Sequence, residues 1–302
     1  MRVDAPWHTT EGLLGRLTLA DGRWLCVYDW PREDARAGVL FVHGLGEHAG
    51  RYGRLAAWFN ASGYTARSYD QRGHGRSPGQ RGGLARPLEL LEDLAEVYAR
   101  FARELGKPPL LLGHSMGALV ALHAVIDGRL APPALVLSSP ALRTWASAWE
   151  QALARQLSRW LPNLPLRSGL PFEALSHDAA VVAAYRNDPL RSGWITPRLA
   201  RFIFAGGRHC IARAPQLSVP TLLLVAGADR LVDAGGSRAF AAAAPAGLLT
   251  THQFGTLFHE LFNEAEPARG EVLALLARWL QAHGRSALHR RSPPYEGEGS
   301  RL

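Results

Sequence analysis

A lone serine between glycines, Gly-His-Ser-Met-Gly at residues 113–117, closes the greasy run PLLL and opens a small-residue helical pattern, GALVALHAV. A strand that hands over to a helix in so tight a turn presents Ser115 on a strained backbone, its hydroxyl exposed at the carboxyl edge of a sheet. Gly113 and Gly117 suit the positions where a Cβ would collide across that turn. A serine hydroxyl is a weak nucleophile at neutral pH and needs a base, itself oriented by a carboxylate. In strand–elbow–helix hydrolases the chain order is Ser, then Asp or Glu, then His. Asp229 follows the apolar run TLLLVAGA, and His259 follows the last strand pattern, LLTTHQF. Both reach the edge on which Ser115 stands. The rivals read otherwise. Asp233 suits the cap of a helix starting near Gly236. Asp70 precedes Ser115. His252 lies inside a strand pattern, and His123 falls within the helix after the elbow. His114 points away from the nucleophile by strand alternation. A third component is the loop FVHGLGEH, where a strand ends at His43. The backbone N–H of Leu45, together with that of Met116, is placed to hold a developing oxyanion, and Gly44 and Gly46 permit close approach.

The elements that must position these groups recur in order. RLTLADGRWLCVYDW is two alternating runs around Asp21-Gly22, which predicts a hairpin with a two-residue turn. The buried runs GVLFVHG, TARSYD, PLLLGH, ALVLSSP, TLLLVAG and LLTTHQF follow, separated by helical patterns. The clearest of those places Leu88, Leu91, Leu94, Ala95, Tyr98, Phe101, Ala102 and Leu105 on one face. Strands alternating with helices predict an α/β fold, a mostly parallel sheet with helices on both faces and ligands beyond the carboxyl ends of the strands. Some 80 residues between ALVLSSP and TLLLVAG carry no convincing strand. There Trp145, Trp149, Leu153, Leu157, Trp160 and Leu161 recur at helical spacing, with Arg155 and Arg159 off the stripe. We expect residues 142–215 to form a helical lid, inserted between core segments 1–141 and 216–283. Each tryptophan, taken singly, is expected to pack on the core. The tail from Gly284 is polar and proline-containing, and is expected to be disordered.

Bulk properties narrow the class. The chain has 302 residues, 47% of them hydrophobic, with a net charge of +8. Its basic residues are scattered arginines, Lys107 being the single lysine, so no nucleic-acid-binding stripe is indicated. Two cysteines give no disulfide framework, and no CxxC or Cys/His metal spacing occurs. No metal or organic cofactor is expected, because a serine triad and water complete the chemistry. The absence of an apolar stretch near the start, or of about 18 apolar residues in a row, leads us to expect a cytoplasmic protein without signal peptide or spanning helix.

With these residues in place, the chain resembles the monoacylglycerol lipase branch of the α/β-hydrolases from about Thr10 to His283. The carrying pieces are HGLGEHAGRY, SYDQRGHGRSPGQRG, GHSMGALVAL, YRNDPL, GADRLVDAGGSRAF and FHELFNE. The resemblance implies an eight-stranded sheet, a helical cap after the sixth strand, and a triad of Ser115, Asp229 and His259. It implies hydrolysis of single-chain lipid esters, foremost monoacylglycerol to glycerol and fatty acid. Lysophospholipase and general carboxylesterase activity are the alternatives, and an aminopeptidase-type peptidase is a more distant one, for which Glu150, Glu173 and Asp178 could supply an acidic pocket. DQRGHG reads as support for the oxyanion turn. The cap's tryptophan stripe could meet a lipid surface transiently. An aspartate-nucleophile hydrolase of the same fold, acting on haloalkanes or epoxides, is a further alternative, against which Ser115 at the elbow argues.

Overall fold

The computed structural model describes residues 12–289, the side chains of 284–289 excepted. In chain order the elements are β1 (Leu13–Thr18), β2 (Trp24–Trp30), β3 (Ala37–Val42), α1 (Gly53–Ala61), β4 (Tyr64–Tyr69), α2 (Glu89–Leu105), β5 (Leu110–His114), α3 (Met116–Ile126) and β6 (Leu135–Ser138). The inserted segment follows with α4 (Ala148–Trp160), β7 (Leu166–Arg167), α5 (Ala179–Asn187), β8 (Trp194–Ile195) and α6 (Pro197–Ala212). The chain closes with β9 (Thr221–Ala226), α7 (Ala234–Ala243), β10 (Leu249–Phe254) and α8 (Ala268–His289). The main sheet has eight strands in the order β1-β2-β4-β3-β5-β6-β9-β10. Only β2 runs antiparallel to its neighbours, β1 and β4; the remaining pairs are parallel. This is the α/β-hydrolase fold.

The central strands are buried on both faces, so their sequences are continuously apolar rather than alternating. Successive residues still divide between two layers. Leu40, Leu111 and Leu223 face a cluster shared with α2, α3, α6 and α7. Phe41, Leu112 and Leu224 face one built with α1 and α8. Each such side chain contributes roughly 1.5–3 kcal/mol by leaving water. α2 buries Leu91, Leu94, Tyr98 and Phe101, the stripe expected from spacing, and ends at Gly106 in the left-handed conformation. Lys107, just beyond, donates to the Arg36 carbonyl at 2.9 Å.

Four expectations are corrected. The β1–β2 connection is not a two-residue turn: Leu19 N–H reaches the Arg23 carbonyl at 2.7 Å, leaving a three-residue loop in which Gly22 alone takes positive φ. The insertion is not strand-free, since β7 and β8 pair as a two-residue ribbon, too short to leave a periodic signal. The tryptophans of the insertion are not packed on the core. Trp145, Trp149 and Trp160 are 61%, 67% and 81% exposed, and Leu153 and Leu161 accompany them on the surface. α4 buries no residue at all; a reciprocal Ser147–Glu150 capping box and its packing on α6 hold it. Last, α8 runs through Gly284 to His289, because a single glycine inside a helix costs only about 1 kcal/mol. The rest of the tail, 290–302, lies outside the described residues. Among those described, no helix is long and apolar enough to cross a membrane.

Candidate active site

β5 delivers Ser115 to the sheet edge and α3 carries it away. The serine takes φ 54°, ψ −120°, a region a non-glycine residue occupies only when its surroundings over-determine it. Those surroundings are backbone. A Cβ on Gly113 would lie 2.5 Å from the Ala118 Cα, and one on Gly117 would lie 2.1 Å from the Val42 carbonyl oxygen. The elbow therefore seats α3 directly against the end of β3.

Asp229 and His259 are brought to the same place by the loops after β9 and β10. Gly227 and Gly255 meet so closely that a Cβ on Gly227 would fall 2.5 Å from the Gly255 carbonyl oxygen. One oxygen of Asp229 accepts the N–H groups of Leu231 and Val232 at 2.8 and 3.0 Å. The other accepts from His259 Nδ1 at 2.6 Å. This arrangement fixes the imidazole with Nδ1 protonated and leaves Nε2 as the base. Burial pushes the His259 pKa down, but the Asp229 carboxylate more than reverses it, and the net shift is upward. Burial works against ionising Asp229, yet His259 and the two amides hold its pKa below the ordinary value. Ser115 and His259 line one cavity together with Leu45 and Met116. Among the described residues the Ser115 hydroxyl makes no hydrogen bond to the imidazole, a contact that is commonly loose before substrate binds.

The loop after β3 is anchored atom by atom. His43 Nδ1 donates to the Gly44 carbonyl at 2.8 Å, and its Nε2 accepts the Gln71 N–H at 2.9 Å. Because C=O and N–H point oppositely across a trans peptide, holding the Gly44 carbonyl on His43 aims the Leu45 N–H the other way. The DQRGHG loop supplies that support: Gln71 Nε2 also donates to the His43 carbonyl at 2.6 Å. Asp70 ties the loop down by accepting from Ala49 and Arg76 amides at 2.8 and 2.7 Å.

Among the rivals, Asp233 caps α7, accepting from Gly235 N–H at 2.7 Å. His252 lies on β10 beside the Phe254 ring. His123 is buried on α3. His114 departs from expectation. It does not point away, but packs tilted against the His259 ring, 4.7 Å between centres, and lines the same cavity. Alternation holds only along a strand, and the positive φ at Ser115 ends it. Burial, with His259 adding to it, lowers the His114 pKa to about 4, so this ring is neutral.

Two further features lay beyond sequence reasoning. In the cavity wall, Glu47 and Glu260 sandwich the Arg51 guanidinium with contacts of 2.6 Å from each. Burial opposes ionisation of Glu47, but Arg51 outweighs it and the carboxyl sits below its usual pKa. The pattern Gly-Glu-His and the residue after His259 were visible; their pairing was not, since 209 positions separate Arg51 from Glu260. The second is Ser139, the other described non-glycine residue with positive φ, at 45°. Its hydroxyl donates to the His259 carbonyl at 2.9 Å, so a strained turn after β6 holds the histidine loop. Glu150, Glu173 and Asp178, by contrast, form no pocket. Glu150 and Asp178 cap helices and Glu173 pairs with Arg186 at the surface.

Comparison with known proteins identifies the family. Residues 33–266 match the family described as serine aminopeptidase, S33 (Hydrolase_4). The chain is 35% identical over 265 residues to the monoacylglycerol lipase of Mycolicibacterium smegmatis, covering 85% of this chain and 93% of that protein. It belongs to the monoacylglycerol lipase-like α/β-hydrolases. Within that family it is 30% identical over 278 residues to the monoglyceride lipase of Homo sapiens, with 88% and 90% covered. The crystal structure of Paleococcus ferrophilus monoacylglycerol lipase matches at 32% identity and a TM-score of 0.78 over 86% of this chain and 99% of that one. A soluble variant of Saccharomyces cerevisiae monoglyceride lipase, in complex with a substrate analog, has a TM-score of 0.83 at 22% identity over 94% and 99%, which speaks for the fold. The protein is thus a carboxylic ester hydrolase, a lipase or esterase of this family.

Proposed function

We propose that the chain hydrolyses monoacylglycerol to glycerol and fatty acid through an acyl-enzyme on Ser115. His259 Nε2 takes the hydroxyl proton as Oγ attacks the ester carbonyl. Asp229 holds the imidazole and offsets its charge, and the Leu45 and Met116 amides receive the oxyanion. The tetrahedral intermediate collapses as His259 protonates the departing glycerol oxygen. Water, deprotonated by the same imidazole, then releases the fatty acid and restores Ser115. The observation that carries this reading is the 2.6 Å Asp229–His259 contact in one cavity with a serine held at positive φ.

The cavity's lining supports the substrate. Leu170, Phe172, Leu175, Leu231 and Val232 give it apolar surface, and Glu47 and Glu260 also face it. Arg51 is held between these two carboxylates, so its guanidinium is not offered to a phosphodiester. This favours glycerol over a lysophospholipid headgroup, although Phospholipase YtpA of Bacillus subtilis is also a relative, 29% identical over 245 residues. An α-ammonium group is the second reading, since one arginine leaves the two carboxylates net negative. Against it, their oxygens are already taken by Arg51, Gly44 N–H, Tyr52 and Asn263. Turnover of monoacylglycerols of graded chain length, lysophospholipid and an aminoacyl naphthylamide decides among them. Preference for the naphthylamide, for lysophospholipid or for acetyl esters would overturn the monoacylglycerol reading. We further propose that the exposed Trp145, Trp149 and Trp160 touch lipid surfaces, as amphipathic aromatic side chains do.

A further inference from the structure

His123 on α3 and Asp127, the residue that ends that helix, stand four positions apart, one turn from each other on the same face. His209, on α6, reaches the same carboxylate from the inserted segment. Asp127 Oδ1 lies 2.7 Å from His209 Nε2, and Oδ2 lies 3.3 Å from His123 Nε2. The two imidazoles are 4.5 Å apart between ring centres, and one ligand atom from each of the three residues falls within 4.8 Å of the others. We propose that His123, Asp127 and His209 bind a divalent transition-metal ion, zinc foremost, across the seam between α3 and α6.

The donor set is the first argument. Two imidazole nitrogens and a carboxylate oxygen are a common protein complement for zinc, with water as fourth ligand. Bonds of about 2.0–2.2 Å in a tetrahedron place ligand atoms roughly 3.3–3.6 Å apart, so the Asp127–His209 hydrogen bond would open slightly while the more distant ligand atoms, now within 4.8 Å, draw together. Access is the second argument. The Asp127 and His209 side chains are 21% and 31% exposed, which gives an ion an entry path and leaves His209 room to turn. The third is commitment. His123 is buried, and its Nδ1 has no hydrogen-bond partner, so no other bond fixes its ring. Close helix packing sets the frame: a Cβ on Gly206 of α6 would already sit 3.4 Å from that Nδ1. Arg129 and Arg213 lie within electrostatic reach of His123 and oppose a cation. The expected affinity is therefore micromolar, weaker than a closed four-ligand structural site. A bound ion would join the helix that starts at the elbow to the last helix of the insertion, and binding to the folded chain alone raises its melting temperature.

The test uses the full chain, stripped with a chelator and titrated calorimetrically with zinc chloride. One ion per chain is expected, with a rise in Tm of several degrees. Cobalt(II) should give the visible absorption of a tetrahedral site. His209→Gln and Asp127→Asn should each weaken zinc binding at least tenfold and abolish the Tm rise. Both should keep ester turnover and fluorophosphonate labelling, which shows that they fold. Zinc binding of equal strength in wild type and His209→Gln would overturn the proposal. So would an absence of binding, or a single ion that inhibits turnover and survives both substitutions, since that ion would sit on His259.

Discussion

In the proposed mechanism His259 carries both the proton traffic and the pH dependence. Its pKa is raised on balance, burial lowering it and Asp229 raising it further, and only the neutral ring can act as base. The acid limb of kcat/KM should therefore fall at a pH above the ordinary histidine value of about 6.5. In Asp229→Asn the limb should move to lower pH while kcat drops by about 10⁴, as initial rates from pH 5 to 9 would reveal. Ser115→Ala should lose on the order of 10⁶ in kcat and should no longer label with a fluorophosphonate. That Ser115 would stand on a tight glycine-flanked turn, with Asp229 and His259 in loops after later strands, was legible because chain order and the elbow motif constrain those positions. His114 was misread because alternation was carried past a residue whose φ breaks it. Arg51 with Glu260, and His123 with His209, were invisible for a different reason: their partners come from distant segments, and nothing periodic joins them.

At the scale of elements, the turn into α3 depends on glycine more than on the serine it presents. Gly117→Ala would set a methyl 2.1 Å from the Val42 carbonyl and 2.4 Å from that of His43, and backbone cannot step aside. We expect loss of activity and a marked drop in Tm by calorimetry. Gly247→Ala, with nothing within 4 Å and no positive φ, should leave both unchanged. α4 is the opposite case. It buries nothing, so its amides should exchange with solvent faster by mass spectrometry than those of α2 and α3, as befits an element with little apolar burial. Substituting Trp149 and Trp160 by serine should then weaken sedimentation with phospholipid vesicles while leaving hydrolysis of a dispersed short ester intact. The central strands were readable because burial on both faces makes β3, β5, β6 and β9 short apolar runs. The exposure of α4 was not readable, since an aromatic stripe at helical spacing is the same whether it faces a core or water.

Across the whole molecule, buried histidines couple folding to acidity. Burial lowers the pKa values of His74 and His114 to about 4 and depresses that of His43 as well. Each binds its proton more readily in the unfolded chain, so stability falls as pH drops below about 6.5; the loss due to His74 and His114 levels off near 4, and that due to His43 continues below it. The raised value at His259 works in the opposite sense and offsets part of it. Urea titrations at pH 7.5 and 4.5 should show a decrease on the order of a few kcal/mol; equal stability at the two would refute the assignment. The single lysine has a practical bearing. Lys107 is exposed and enters β5 at the end opposite to the one where Ser115 leaves it. Apart from the chain's first amine, coupling chemistry directed at primary amines has one place to act, on the underside of the sheet. Enzyme tethered there to a support would stand with its mouth turned outward, toward whatever emulsion flows past.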